Sequence, residues 1–344
     1  MQILNSYATP YHPVAERYDA MEYRSLGRSG LKMPALSLGF WHNFGDDKPL
    51  QVQRDIMRTA FDHGITHWDL ANNYGPPAGS AESNVGLIFA QDFKHLRDEL
   101  LITSKAGFAL RPGPYGAWGS KKYLVHSLDQ TLLKLGIDYV DIYYHHLDDP
   151  DTPIEETAEA LALAVTSGKA LYVGVSNYPA DRLREMAAAL AQWRIPLRAY
   201  QGPYSMFDRE IEESVLPTAA DLGVGTIAYS PLQQGLLTDR YLDGTVPADS
   251  RAARGKFLHE KALSSAYYER ATALQGIAER RGQTLAQLAL TWVLRDPAVS
   301  SAIIGASSVE QLRSNLAALA ADLSDDEVAA IEPYAVHGTG ARTW

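Results

Sequence analysis

Four polar residues stand where short apolar runs end: Asp69 closing THWD, Tyr74 in ANNYG, Lys105 closing LLITSK and His146 closing YVDIYYHH. A phenol is a weak acid, with a free pKa of ~10, and a neighbouring ammonium lowers it. Lys105 supplies such an ammonium, Asp69 an anion to hold it, and His146 a nitrogen to grip or polarise a substrate oxygen. A proton donor beside an oxyanion-binding nitrogen suits the reduction of a carbonyl group. The hydride then has to come from an organic cofactor, because no side chain carries one.

Each residue alone has a plain structural reading. Asp69 could cap a loop amide, Tyr74 pack in its loop, Lys105 face water and His146 satisfy the wall. All four doing so together is far less expected than one shared site. The adjacent His145 points to the opposite face of a regular strand and is assigned to packing or a hydrogen bond. Three other chemistries compete. Asp148 and Asp149 beside the two histidines suggest a metal, without H-E-x-x-H or similar spacing. Asp69 with Asp148 or Glu82 suggests two-carboxylate hydrolysis, which leaves Lys105 and Tyr74 idle. Lys105 alone suggests a Schiff-base aldolase.

The elements that would position these groups follow from periodicity. Apolar runs at 34–40, 65–69, 99–105, 139–146, 170–176, 199–201, 224–230 and 299–305 alternate with helical patterns. Val52, Ile56, Ala60 and Phe61 mark one helix. Ser80 reads as the cap of the next. Ser120 opens a helix through Leu124, Leu128, Leu132 and Leu135, which Gly136 stops. Thr152-Pro153-Ile154-Glu155 reads as cap, first-turn proline and acid of a helix running to Gly168. Pro179 opens another. Helices are also expected at 209–220, 262–281 and 284–295, after Ser308 with Leu312 and Leu316, and from Ser324.

Eight strand–helix units imply a closed (β/α)₈ barrel, the TIM barrel, whose chemistry lies at the strands' C-terminal ends. Gly27, Gly30 and Gly39 do not spell G-x-G-x-x-G, which disfavours an open doubly wound sheet. The expected organisation is an arm over 1–21, one barrel domain over 22–337 with an insertion near 238–262, and a tail over 338–344.

The chain has 344 residues, 31 basic against 41 acidic, a net charge of −10 and no cysteine. Disulfides, thiolate metal sites and cysteine nucleophiles are excluded. The acidic balance disfavours nucleic acid as partner. No apolar run reaches membrane-spanning length. The opening MQILNSYATPYHPVAERY lacks a basic and an apolar leader segment, so a cytoplasmic location is expected by elimination.

The four residues and the runs that carry them resemble the aldo-keto reductase family over roughly residues 22 to 335. Asp69, Tyr74, Lys105 and His146 match its catalytic tetrad. The resemblance implies an NADPH/NADP⁺ cofactor. Ser176, Asn177 and Gln201 would hold the nicotinamide carboxamide, Tyr229 would stack on its ring, and Trp41 and Asp69 would line it. Ser230, Pro231, Leu232, Gly235, Leu236 and Arg240 would follow the pyrophosphate, and Gly305, Ser307, Gln311 and Asn315 the adenine side. Ser307 and Gln311 stand where many members carry lysine or arginine, as in the branch related to potassium-channel β subunits. Arg313 is a second candidate for the 2′-phosphate. WHNFGDD (41–47) and ANNYGPPAGSAES (71–83) are similar to a bacterial subgroup that reduces L-glyceraldehyde 3-phosphate and short aldehydes such as methylglyoxal. That implies a small, phosphorylated aldehyde as substrate, with Trp41, His42, Tyr74, His146 and Trp118 lining its pocket, and Arg111 and Lys121 as candidates for its phosphate. It also implies a homo-oligomer, tetramer or octamer, and no membrane partner. The alternative is a cofactor-binding redox sensor or scaffold subunit with slow turnover.

Overall fold

Eight parallel strands close on themselves in the computed structural model, which describes residues 11–247, 253 and 262–340. Residues 1–10 of the expected arm, 248–252 and 254–261 of the insertion and 341–344 of the tail lie outside the described residues. A short hairpin, β1 (Tyr23–Ser25) and β2 (Lys32–Pro34), comes first. The barrel follows as β3 (Leu36–Gly39), β4 (His67–Asp69), β5 (Leu101–Ala106), β6 (Val140–His145), β7 (Ala170–Ser176), β8 (Leu197–Pro203), β9 (Gly225–Tyr229) and β10 (Val299–Ile304), with β10 pairing back to β3. Between them run α1 (Leu50–Asp62), α2 (Ser80–Asp92), α3 (Lys121–Leu135), α4 (Ile154–Thr166), α5 (Ala180–Ala191), α6 (Val215–Leu222), α7 (Ser265–Arg280) and α8 (Leu285–Leu294), with α9 (Val309–Leu316) and α10 (Asp325–Ile331) after β10. Among the described residues no helix is long and apolar enough to cross a membrane.

Alternation along each strand splits the interior into two cores. Outward residues meet the helices: Trp68 packs against Phe40 and Phe93, with ring centroids 5.9 Å and 4.8 Å apart. Each such buried side chain stabilises the fold by about 1.5–3 kcal/mol. Inward residues fill the barrel, where Ile142, Tyr144, Ala199, Ile227 and Ile303 cluster with Leu26 and Met33 of the hairpin region. A polar layer also lies in the barrel. Ser37 and Ser301 hydroxyls are 2.5 Å apart, and the His67 ring spans Ser37 at 2.7 Å and Thr103 at 3.1 Å.

Most helix boundaries obey the expected local chemistry. The Ser120 side chain accepts from the Tyr123 amide, and Gly136 ends α3 at φ 67°. Ser308 caps α9, and Ser324 with Glu327 forms a capping box on α10. Several expectations are corrected. Ser80 is the first helical residue and Gly79 the cap, at φ 87°; the Ser80 hydroxyl donates to the Pro77 carbonyl. The Thr152 hydroxyl donates to Asp149, leaving Pro153 at the cap position. The helix expected over 209–220 breaks into a 3₁₀ turn at Glu210–Glu212 and α6. Pro217 fits the first turn of α6 but would break the interior of a longer helix. β8 is also longer than its apolar core suggested.

The described part of the arm lies on the chain's own surface. Tyr11 Oη and the Val14 amide both donate to Asp62 Oδ1 at 2.9 Å, and Arg17 pairs with Glu99.

Candidate active site

Register carries the tetrad to one end of the barrel: Asp69 pairs with Thr103 across β4–β5, and Lys105 with Tyr144 across β5–β6. Asp69 ends β4, Lys105 is the penultimate residue of β5, and His146 directly follows β6. Tyr74 comes from the loop before α2.

Lys105 is wholly buried. Its ammonium donates to Asp69 Oδ2 and to the Leu70 carbonyl, each at 2.7 Å. Asp69 Oδ1 accepts from Gln201 Nε2 at 2.8 Å and from the Thr103 hydroxyl at 3.2 Å. Burial pulls the ammonium below its ordinary pKa, and Asp69 opposes that. The ammonium also lies 5.0 Å from the centroid of the Tyr74 ring and 5.9 Å from that of Tyr144. Gly174 makes room for the latter, since a Cβ there would fall 2.4 Å from the Tyr144 ring.

The Tyr74 phenol departs from expectation. Burial, reinforced by Asp69 and Tyr229, pushes it well above the ordinary value rather than below it. The ammonium faces the ring, and no hydrogen bond joins Lys105 to the Tyr74 hydroxyl among the described residues. Tyr74 is half-buried. The phenol therefore keeps its proton at neutral pH.

His146 lies 5.9 Å from Tyr74, ring to ring. Burial, then Lys105 and His145, hold its pKa well below the ordinary imidazole value. The neutral ring offers one N–H to an incoming oxygen. Phe108, edge-on at 4.6 Å, walls His146. That residue carried no periodic signal; its one mark is lying three positions past Lys105.

Trp41 stacks on His42 at 3.9 Å and reaches to 6.4 Å from Tyr74, so the aromatic mouth forms on that side. Trp118 is half exposed at φ 74°, with no ring contact to the tetrad among the described residues. The phosphate candidates are not gathered at the tetrad: Lys121 pairs with Glu159 at 2.6 Å, and the Arg111 guanidinium donates to the Tyr115 carbonyl of its own loop.

A band of residues continues from the tetrad across β7, β8, β9 and β10. Asn177, at φ 58°, donates to the His146 carbonyl and to Ser176, and accepts from the Tyr229 hydroxyl at 2.7 Å. The turn beyond β9 is tightly wound, with Ser230, Gln233 and Gln234 all left-handed and Gly235 at φ 99°. Pro231 is buried, Leu232 is half-buried and Arg240 is exposed. Leu236 is fully buried in the core and its carbonyl accepts the Tyr267 hydroxyl. Past β10, Ser307 donates through both its amide and its hydroxyl to Gln311 Oε1. Gly305 is exposed, and a Cβ there would meet only Asn43 at 3.9 Å. Asn315 is buried, with Nδ2 lacking any partner among the described residues, whereas Arg313 faces water.

This donor set fits a dinucleotide. A buried amide without a protein partner leaves a donor that a ligand or a water can take, a helix N-terminus favours phosphate, and the band leads from there to Tyr74. The metal and two-carboxylate chemistries lose their residues. Among the described residues no group of three His, Cys, Asp or Glu could hold a metal. Asp148 pairs with Arg182 at 3.0 Å, and Asp149 accepts the Gly119 and Asp151 amides. Glu82 is wholly buried, accepting from Ser104 and Thr131 and pairing with Lys134. Ser104 faces away from Lys105, so Glu82 lies outside the pocket.

Residues 35–335 match the Aldo/keto reductase family. Over 329 residues, 94% of this chain and 95% of the relative, the chain is 51% identical to the protein named L-glyceraldehyde 3-phosphate reductase in Escherichia coli, in strain K12 and in O157:H7. It is 35% identical over 303 residues, 87% of this chain and 91% of the relative, to a probable voltage-gated potassium channel subunit beta of Arabidopsis thaliana. The geometry and these likenesses agree on an oxidoreductase that reduces aldehydes with a nicotinamide cofactor: the chain belongs to the aldo/keto reductase family.

Proposed function

We propose that the chain reduces L-glyceraldehyde 3-phosphate to glycerol 3-phosphate with NADPH, and extends to methylglyoxal and other short aldehydes. The observation that carries this reading is the wholly buried Lys105–Asp69 pair set against a protonated Tyr74, in a chain 51% identical to a protein named for that reaction.

When bound, the nicotinamide supplies the hydride. Tyr74 and His146 receive the carbonyl oxygen between them. Tyr74 then releases its proton to the nascent alkoxide, a stronger base than any phenolate. A phenol held protonated by burial is the correct starting form for that transfer. Lys105, fixed by Asp69 and Leu70, stands beside the ring to balance the phenolate that results. Neutral His146 donates to the oxygen and adds no charge. Ser176, Asn177, Gln201 and Tyr229 hold the nicotinamide end, and Gly305, Ser307, Gln311 and Asn315 the adenine end.

The test is steady-state NADPH oxidation with L-glyceraldehyde 3-phosphate, unphosphorylated L-glyceraldehyde and methylglyoxal, repeated with NADH. The phosphorylated aldehyde and NADPH are expected to give the highest kcat/KM. The 35% relative named as a channel subunit raises the second reading, a cofactor-binding sensor or scaffold. Cofactor binding without turnover on any of these aldehydes would favour it.

A further inference from the structure

Two consecutive residues after β7 grip two consecutive histidines at the end of β6. β6 and β7 pair with His145 opposite Val175. Asn177 then turns left-handed, at φ 58°. Its Nδ2 donates to the His146 carbonyl at 2.9 Å, and the Tyr178 hydroxyl sits 2.6 Å from His145 Nδ1. Tyr178 is 2% exposed and His145 not at all, so the contact between them is not shared with solvent.

Proton placement follows. Burial, with Asp148 adding to it, pushes the Tyr178 phenol up and keeps it protonated. Burial pulls His145 down to about 4, against the pull of Asp149 and the Trp118 carbonyl, and Arg182 lowers it further. A neutral imidazole has one lone pair and one N–H. One proton therefore joins the phenol oxygen and Nδ1, carried by the hydroxyl or by the ring according to the tautomer. Nε2 is buried and makes no well-formed hydrogen bond among the described residues, and the Trp118 backbone favours the protonated ring.

The far side of the His145 ring is a seat for backbone. A Cβ on Gly119 would lie 3.1 Å from Cε1 and 3.2 Å from Nε2, so the chain passes directly against the ring. Trp118 is held there at φ 74°, with its amide donating to the Gly107 carbonyl at 2.6 Å. Asp149 accepts the Gly119 amide at 2.9 Å, and Thr157 donates to the Gly119 carbonyl at 2.9 Å. The segment so anchored begins, past Gly107, with Phe108, whose edge walls His146.

We propose that the Tyr178–His145 hydrogen bond is a positioning strut, which fixes the His145 ring as the seat of Trp118 and Gly119 and thereby sets the wall that Phe108 presents to the aldehyde. His145 and Tyr178 are positioning residues that act through the loop, and the role in reduction rests on the aldehyde-reductase reading above.

The test uses the full chain and its Tyr178→Phe, His145→Asn and doubly substituted variants. A loosened wall weakens substrate binding without altering proton transfer, so KM for the aldehyde rises about fivefold in Tyr178→Phe while kcat and NADPH affinity stay within about twofold. The double variant is no worse than His145→Asn alone, because Tyr178 acts only through that ring. ¹⁵N spectra of histidine-labelled protein show the His145 Nδ1 signal shifting in Tyr178→Phe. Chymotryptic cleavage at Phe108, Tyr115 or Trp118 quickens in parallel. An unchanged KM, additive losses, or a fall in kcat at constant KM overturns the proposal. If the wild-type chain turns over no aldehyde, the function reading fails instead; the strut is then decided by cleavage, and a wild-type rate in Tyr178→Phe overturns it.

Discussion

Gln201 Nε2 donates to Asp69 Oδ1 at 2.8 Å. A side chain expected at the nicotinamide thus also braces the carboxylate that holds the lysine. With the Thr103 hydroxyl and the Lys105 ammonium, Asp69 has three donors on two oxygens. A buried carboxylate so satisfied is a fixed strut of negative charge rather than a mobile base.

Tyr74→Phe removes one hydroxyl and leaves the ring beside Lys105. Loss of a positioned proton donor lowers kcat by about 10²–10⁴. Cofactor affinity, read by quenching of protein fluorescence, stays near the wild-type value. Wild-type turnover in this variant would place the donor elsewhere.

Lys105→Met strands the Asp69 charge with only neutral donors. Breaking a buried pair on one side costs about 3–5 kcal/mol, whereas removing both charges costs less. Urea unfolding should show Lys105→Met well below wild type and Lys105→Met/Asp69→Leu recovering part of the loss. A single variant as stable as wild type would show that the carboxylate finds solvent.

Acid stability should depend on two histidines remote from water. Burial, mainly, pulls both His67 and His145 from 6.5 to about 4. The unfolded chain therefore takes up these protons first. Stability is whole above pH 6.5 and declines as pH falls towards 4, by about 2 kcal/mol per histidine at pH 5. The urea midpoint should drop between pH 7 and pH 5, and His145→Asn should show a smaller drop. Equal drops in the two proteins would mean that His145 does not contribute.

Asn315 carries a buried amide nitrogen with no partner among the described residues. Left unsatisfied, such a group costs about 1–3 kcal/mol, which a bound ligand can repay. Asn315→Ala should leave the free chain at least as stable in a thermal melt, yet weaken NADPH binding about tenfold by titration. Weakened stability with unchanged affinity would make Asn315 a packing residue.

The barrel strands were legible because a strand buried on both faces is apolar throughout, and eight such runs alternate with helices. Asp69, Lys105 and His146 were legible as the polar residues that end those runs. What escaped depended on contacts between distant segments. The strands of the hairpin, Tyr23–Ser25 and Lys32–Pro34, are too short to show a period. Its turn needs Gly27, at φ 52°, where a Cβ would fall 2.4 Å from the Gly223 carbonyl. Ser80 and Thr152 have the composition of caps, but their hydroxyls find Pro77 and Asp149 instead. The Tyr74 shift could not be read from residue types, because its direction turns on whether the ammonium meets the hydroxyl or the ring. Phe108 sits in a loop without pattern.

Leu26 and Met33, both wholly buried, stopper the barrel from below. A vessel corked at its base has a single door. Whatever sits deepest has to enter first and leave last; under the function proposed above, with the aldehyde over the nicotinamide, the alcohol would depart before the spent dinucleotide is exchanged.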